Sequence, residues 1–308
     1  YRQFKLNANT ATSFAGGSLE LAVSASGLDQ ETAGFIFGED AYRDPDLNRG
    51  NLNPEAFRKA DSQRLYAIWT KDAGDRRIDI RPYLRRSDME FLQHFLPGQP
   101  LEENGQVSAG FLSLVSGGND ALAWNLGFDL DMSDAFLKET QDGPTEGSDF
   151  LVETRPEGLH YDFEVASSSI ASYVQSDIDI AGDLALGLGL RAEYVHYDYD
   201  NRMLDGNTRD DGTECGFGGC LYTRPADRSD SFTNVAPKLA LRLATDPNGT
   251  LYLALSRGFR APQMTELYRL QSGQSVADLD SEQLDNVELG YRHSGSRHSW
   301  HLSAFAMR

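Results

Sequence analysis

Few residues in this sequence have types and spacing that could do bond chemistry. His196, Asp198 and Asp200 form its one histidine–carboxylate grouping at a plausible strand end, and such a set could activate a water or a nucleophile. No motif places a serine beside them, so they read more simply as a polar strand end running into a loop. Cys215 and Cys220 lie in a Gly-rich segment. Two thiols fit a small disulfide-closed loop in an oxidising compartment better than a metal centre needing four ligands. Asp205, Asp210, Asp211 and Glu214 surround them, but their spacing matches no EF-hand, and acidic loops are usually solvated. The sequence therefore predicts no enzyme, no resident metal and no cofactor.

Composition narrows the class. The chain has 40% hydrophobic and 24% charged residues, as an ordered protein does. Lys+Arg is 28 against Asp+Glu 47, a net charge of −19, which disfavours nucleic acid as a partner. The longest apolar-plus-glycine run, Leu184 to Leu190, falls short of the roughly 20 residues of a membrane helix. The first stretch has no charged segment followed by an apolar core, so no signal peptide is expected there.

The elements that must position any site are strands. From Leu122 to Met132 the even residues are Leu, Trp, Leu, Phe, Leu and Met, while the odd ones are Ala, Asn, Gly, Asp and Asp. That period of two is a strand with one greasy face. It recurs at Leu184–Tyr194, and at Ile78, Ile80 and Leu84 against Asp79, Arg81, Tyr83 and Arg85. Six hairpins are predicted, with tight turns at residues 15–17, 72–75, 116–119, 181–183, 246–249 and 294–297. Between them lie long connections at roughly 27–62, 89–104, 134–159, 200–231 and 260–282. Twelve strands of about ten residues or more, with short and long connections alternating, predict a transmembrane antiparallel β-barrel with short periplasmic turns and long extracellular loops. Tyr66, Trp69, Trp124, Tyr194, Tyr197, Tyr199, Tyr291 and Trp300 are expected near its interfaces. Pro82 interrupts a strand and suggests a bulge, and Gln106–Val115 has apolar residues on both faces, leaving its register open.

A motif then follows the strand Leu251–Leu255. It reads Ser256-Arg257-Gly258-Phe259-Arg260-Ala261-Pro262, then Glu266-Leu267-Tyr268, then Glu288-Leu289-Gly290. This resembles the barrel signature of TonB-dependent outer-membrane receptors. Ala171–Gln175, Gly189–Tyr194 and Ala236–Leu241 are similar to other recurrent pieces of that barrel, so the resemblance spans essentially the whole chain. It implies that residues 1–308 are about 12 strands of a 22-stranded barrel in the bacterial outer membrane. The plug, the TonB box and the C-terminal strands would lie outside the chain.

The resemblance also implies energised import of a scarce, bulky nutrient. Its partners would be TonB, acting through the N-terminal part, outer-membrane lipid and a ligand, a ferric siderophore by default. Haem is disfavoured because Ala261–Asn286 holds no histidine and no NPNL, and copper because Met and His are scattered. Cobalamin or an oligosaccharide on aromatic platforms such as Phe91, Phe95, Phe217 and Tyr222 stays open. Arg81, Arg85, Asp129, Asp131, Arg191, Glu193, Arg242, Glu288 and Arg292 are expected to face the lumen, mainly as ion pairs. Arg257, Arg260 and Glu266 are expected to brace a loop against strand ends. A passive porin or adhesin, and less readily a small outer-membrane hydrolase, are the rival readings.

Overall fold

The computed structural model describes every residue except Ser275 and Ala277, both within the 260–282 connection. Its strands are β1 (Arg2–Phe14), β2 (Gly17–Glu31), β3 (Phe57–Ala73), β4 (Arg76–Leu92), β5 (Leu101–Asn119), β6 (Leu122–Gln141), β7 (Gly158–Ala181), β8 (Leu184–Asn201), β9 (Tyr222–Thr223), β10 (Arg228–Asp246), β11 (Gly249–Arg260), β12 (Leu270–Gln271), β13 (Glu282–Ser294) and β14 (Ser299–Met307). Short helices α1 (Asp149–Thr154) and α2 (Met264–Tyr268) lie in the connections. All strands except β9 and β12 form one twelve-stranded antiparallel sheet in chain order; β9 and β12 pair separately. The sheet is not closed, since β1 and β14 each have a single neighbour.

All six predicted hairpins are present, but the third turns at Asp120–Ala121 instead of 116–119, because Ser116 to Asn119 still pair with Asn125 to Leu122. In the first, Ala15 and Gly16 both take positive φ (52° and 77°), the backbone of a type I′ turn whose twist matches that of the strands. The long connections are shorter than the sequence suggested, at residues 32–56, 93–100, 142–157, 202–227 and 261–281. The strands run on past their apolar stretches because their polar continuations still pair, as β6 does with β7 out to Gln141.

Pairing register sorts every side chain onto one of two faces. One is apolar: Leu126, Phe128, Met132, Val174, Leu188 and Leu190 stand exposed on it. The other is polar. Aromatic rings on the polar face lie over cross-strand glycines: Tyr83 over Gly110, Tyr173 over Gly127 and Tyr252 over Gly290. A Cβ at any of the three glycines would fall within 2.4 Å of a ring atom. Each tyrosine covers backbone that the glycine leaves bare.

Three local expectations change. Pro82 makes no bulge: the β3–β4 register is unchanged across it, and the ladder simply loses the two pairs between Tyr66/Tyr83 and Trp69/Ile80. A missing N–H removes hydrogen bonds without requiring an extra residue. Residues 106–115 have one continuous register, with Val107, Phe111 and Val115 on the apolar face and Leu112 and Leu114 on the polar one. Tyr66, Tyr197 and Tyr199 lie on the polar face; only Trp69, Trp124, Tyr194, Tyr291 and Trp300 of the predicted girdle share the apolar face.

Candidate functional site

Alternation puts the charged side chains on the polar face, and register across strands and i, i+2 spacing within them bring them into ion pairs. Arg191 of β8 donates to Asp129 of β6 (2.7 Å) and to Glu193 (2.8 Å). Arg85 of β4 reaches Asp131 (3.0 Å), which also accepts the Tyr83 hydroxyl, and Arg81 pairs with Asp79 (2.5 Å). Arg242 meets Asp177 (2.5 Å), and the Tyr252 hydroxyl donates to Glu288 (2.5 Å). Arg292 follows Glu288 and Gly290 on this face and has no ion-pair partner among the described residues.

At the loop end of the same face the 202–227 and 261–281 connections fold over the strands. They close an aromatic core of Tyr161, Phe163, Tyr199, Tyr222, Leu267 and Tyr268, into which Cys215 and Cys220 also pack. Tyr199 stacks on Tyr268 at 4.4 Å, and His160 on Tyr222 at 4.3 Å. His160 is supplied by an irregularity: the β6–β7 register shifts between Glu139 and Thr140, leaving His160 as an extra, unpaired residue. A bulge of this kind re-aims side chains. Arg224, 1% exposed, donates to the carbonyl oxygens of Leu204 (2.7 Å), Thr208 (2.7 Å) and His160 (3.2 Å), so the connection is folded around a caged guanidinium.

The 256–268 motif supplies the frame of this lid. Arg260, at the end of β11, forms a bidentate pair with Glu266 (both 3.0 Å) and bonds Glu282 (2.9 Å), tying the two ends of the 261–281 connection. Glu266 also accepts the Gln263 backbone N–H, closing a capping box on α2. The Arg260 guanidinium and that N–H hold the Glu266 carboxyl below its ordinary range. The Pro262 carbonyl accepts from Tyr197 (3.2 Å), next to Ala261, which packs against the core; the Tyr268 hydroxyl donates to Asp230 (2.8 Å). Gly258 shares the polar face with Arg260, while Phe259 and Arg257 lie on the apolar face. Arg257 does not brace a loop there: it bonds Asp285 across β11 and β13 (2.7 and 2.8 Å).

Sequence reasoning missed the residue that fastens the lid to the far strands. Arg269 bonds Glu102 of β5 (2.9 Å), Gln93 (3.3 Å) and Glu139 of β6, whose other oxygen faces His160 Nδ1 (3.1 Å). Burial works to lower the Arg269 pKa, but attraction to Glu139 and Glu102 outweighs it and the guanidinium is held charged. Its place directly after Glu266-Leu267-Tyr268 was the available signal; nothing local marked Arg224. Tyr222 is buried and offers no ligand platform, whereas Phe217, 67% exposed within the Cys215–Cys220 loop, packs edge-on against Phe150. The structure does set a serine beside His196, with Ser231 Oγ 2.9 Å from Nδ1, but Asp198 is taken by Ser229, and no partner orients Nε2 among the described residues.

A sheet of long strands with one apolar face, one ion-paired face and loops gathered at one end is the architecture of a membrane barrel wall. Residues 3–308 match the family model described as TonB dependent receptor-like, beta-barrel. The chain belongs to this family. As such a receptor barrel it resides in the bacterial outer membrane. No curated protein sequence matches it. Among solved structures, the unliganded ferric citrate transporter FecA superposes with TM-score 0.74 at 13% identity, over 99% of this chain and 42% of FecA. The ferric-catecholate import receptor Fiu from E. coli K12 gives 0.69 at 12%, over 99% and 51%. The ferric yersiniabactin uptake receptor FyuA from Yersinia pestis gives 0.67 at 12%, over 98% and 44%. The receptor barrel described here thus spans about half the length of these proteins or less, and the likeness is one of fold.

Proposed function

We propose that residues 1–308 are the greater part of the wall of a longer TonB-dependent receptor that imports a scarce, bulky nutrient, a ferric siderophore, using energy delivered through TonB. The apolar face meets lipid and the polar face lines the lumen. The observation that carries this is the match between the apolar belt and a bilayer. On β6 the belt runs from Leu122 to Met132, ten intervals. At ~3.4 Å each and a tilt of ~40°, it is about 26 Å tall, close to the ~25 Å band of outer-membrane barrels.

In the lumen Arg81, Arg85, Arg191 and Arg242 are paired with carboxylates of the same wall, which leaves it polar and braced, with no grouping there set up for bond chemistry among the described residues. The folded-over connections narrow the loop end, which favours a gated receptor over an open porin. Deleting the receptor gene and following radiolabelled iron supplied as ferric chelates to iron-starved cells tests the reading. Loss of uptake of one chelate supports it, and unchanged uptake of every ferric chelate offered refutes the siderophore assignment.

A further inference from the structure

Beneath the lid, His160 is wholly buried and both of its ring nitrogens face oxygen. Nε2 lies 2.8 Å from the Pro156 carbonyl, and Nδ1 lies 3.1 Å from Glu139 Oε1. A carbonyl can only accept, so Nε2 carries a hydrogen and donates it. An ionised carboxylate also only accepts, and a neutral ring has a single N–H, which Pro156 already takes. A neutral ring would therefore set a bare Nδ1 lone pair against a carboxylate oxygen in a site closed to solvent, where such a contact is costly. A second proton, on Nδ1, turns the same contact into a charge-assisted hydrogen bond. A proton on Glu139 instead is disfavoured, because its other oxygen accepts from Arg269.

The ring sits where the lid meets the wall. Tyr222 of the 202–227 connection stacks on it at 4.3 Å, and Arg224 of the same connection donates to the His160 carbonyl (3.2 Å). Through Glu139 the ring is joined to Arg269, which holds the 261–281 connection and also bonds Glu102. Glu139 and Glu102 of the wall favour positive charge on the ring, as does Asp210 of the 202–227 connection, which accepts the Leu159 N–H (3.1 Å). Arg269, Arg224 and Arg155, the last beside Pro156, oppose it. The phenols Tyr161 and Tyr222 carry no charge near neutral pH, and the face of Tyr222 suits a cation. Three carboxylates thus stand against three guanidinium groups, and the acceptor in direct contact with each ring nitrogen decides.

We propose that His160 is a proton-operated catch: it is an imidazolium in the closed lid, so closure is favoured as pH falls and weakens as pH rises. When the 202–227 connection lifts, water reaches the ring, and an imidazole in water gives up its second proton around pH ~6.5. Above that pH the closed form binds one proton more than the open form, so opening grows by up to about tenfold per pH unit until the closed form loses its proton too. The consequence, pH-dependent access to the lumen, rests on the import reading above; the catch itself does not depend on what is carried.

The complete receptor in lipid, with nitrogen-15 in its histidine rings, tests this at two levels. At about pH 7.5 both ring nitrogens of His160 should resonate as N–H groups of an imidazolium; a bare nitrogen on that ring overturns the inference. Native-state hydrogen exchange then reads the lid amides of Cys220, Arg224 and Ser272, bonded to the Asn207, Gly206 and Leu221 carbonyls. Their protection factors, taken relative to the intrinsic rate at each pH, should fall by roughly three- to tenfold per unit from about pH 7 to pH 8.5, while the β6–β7 ladder amides keep theirs. His160→Gln can still donate to one of the two oxygens but cannot gain or lose a proton, so its lid should be less protected and its protection flat over that range. Native lid protection that does not change with pH, or an equal slope in His160→Gln, overturns the inference. If that variant does not fold, the ring spectrum and the native profile decide between the same outcomes. A receptor that imports no ferric chelate fails the import reading and leaves both readouts unaffected.

Discussion

Replacing Arg269 by Met should loosen the lid over the loop end of the lumen without disturbing the wall beneath it. In the native protein one guanidinium compensates Glu139, whose side chain is 2% exposed, and Glu102, at 11%. Methionine keeps much of the stem's volume and leaves both carboxylates facing a buried space with no cation. Breaking a buried pair by removing one partner costs about 3–5 kcal/mol, because the remaining charge stays uncompensated. At ~1.4 kcal/mol per factor of ten, exchange of the amides that hold α2 and β12 should speed up by roughly 10²- to 10³-fold. The informative amides are those of Leu267, bonded to Gln263, Arg269, bonded to Thr265, and Ser272, bonded to Leu221. Native-state hydrogen exchange on the complete receptor in lipid reads them, with β6–β7 ladder amides as the control. Adding Glu139→Gln should restore part of the protection, since it removes the stranded charge. Exchange changed by less than about twofold in Arg269→Met would refute the clasp.

Other perturbations test other levels of the account. Leu188→Arg, at the middle of the apolar belt on β8, should cost about 2–4 kcal/mol in folding equilibria in vesicles; a change within ~0.5 would contradict the lipid-facing assignment. Gly127→Ala puts a Cβ 2.0 Å from Tyr173 Cζ and should cost about 1–3 kcal/mol by forcing the ring aside, and near-neutral stability would mean that the ring is free to move. Because the Glu266 carboxyl is held below its ordinary range, its contribution is complete at neutral pH and is lost as pH falls through that lowered value. Protection factors of the α2 amides, taken relative to the intrinsic exchange rate at each pH, should therefore fall between pH 6 and pH 3 in the native receptor and change less in Glu266→Gln; identical profiles would exclude this carboxyl as the cause.

The wall was legible from sequence because its rule is local. A period of two decides the face at every position, so Asp129, Asp131, Arg191, Glu193 and Arg242 could be placed on one face before any partner was known. The pairings followed from register, which a strand's own sequence does not contain; Arg191 meets Asp129 only because β6, β7 and β8 align Asp129 with Ala171 and Glu193. Tyr197 and Tyr199 misled because an aromatic near a strand end fits a lipid interface and a loop-covered core equally well. The lid was least legible. Arg269 meets residues 130 and 167 positions earlier, and Arg224 is satisfied by carbonyls, which carry no side-chain signature. Pro82 shows the limit of reading a breaker locally: sheet pairing on both sides preserved the register that the residue alone would disturb.

The most direct test of energised import is the initial rate of uptake of a bound ferric chelate by cells carrying the complete receptor, measured with and without the proton-motive force and over a range of chelate concentration. The account predicts saturable uptake that stops when the force is dissipated and is absent in cells without TonB. Uptake that continues unchanged after dissipation and rises linearly with concentration would contradict it, and would make this wall part of a passive pore.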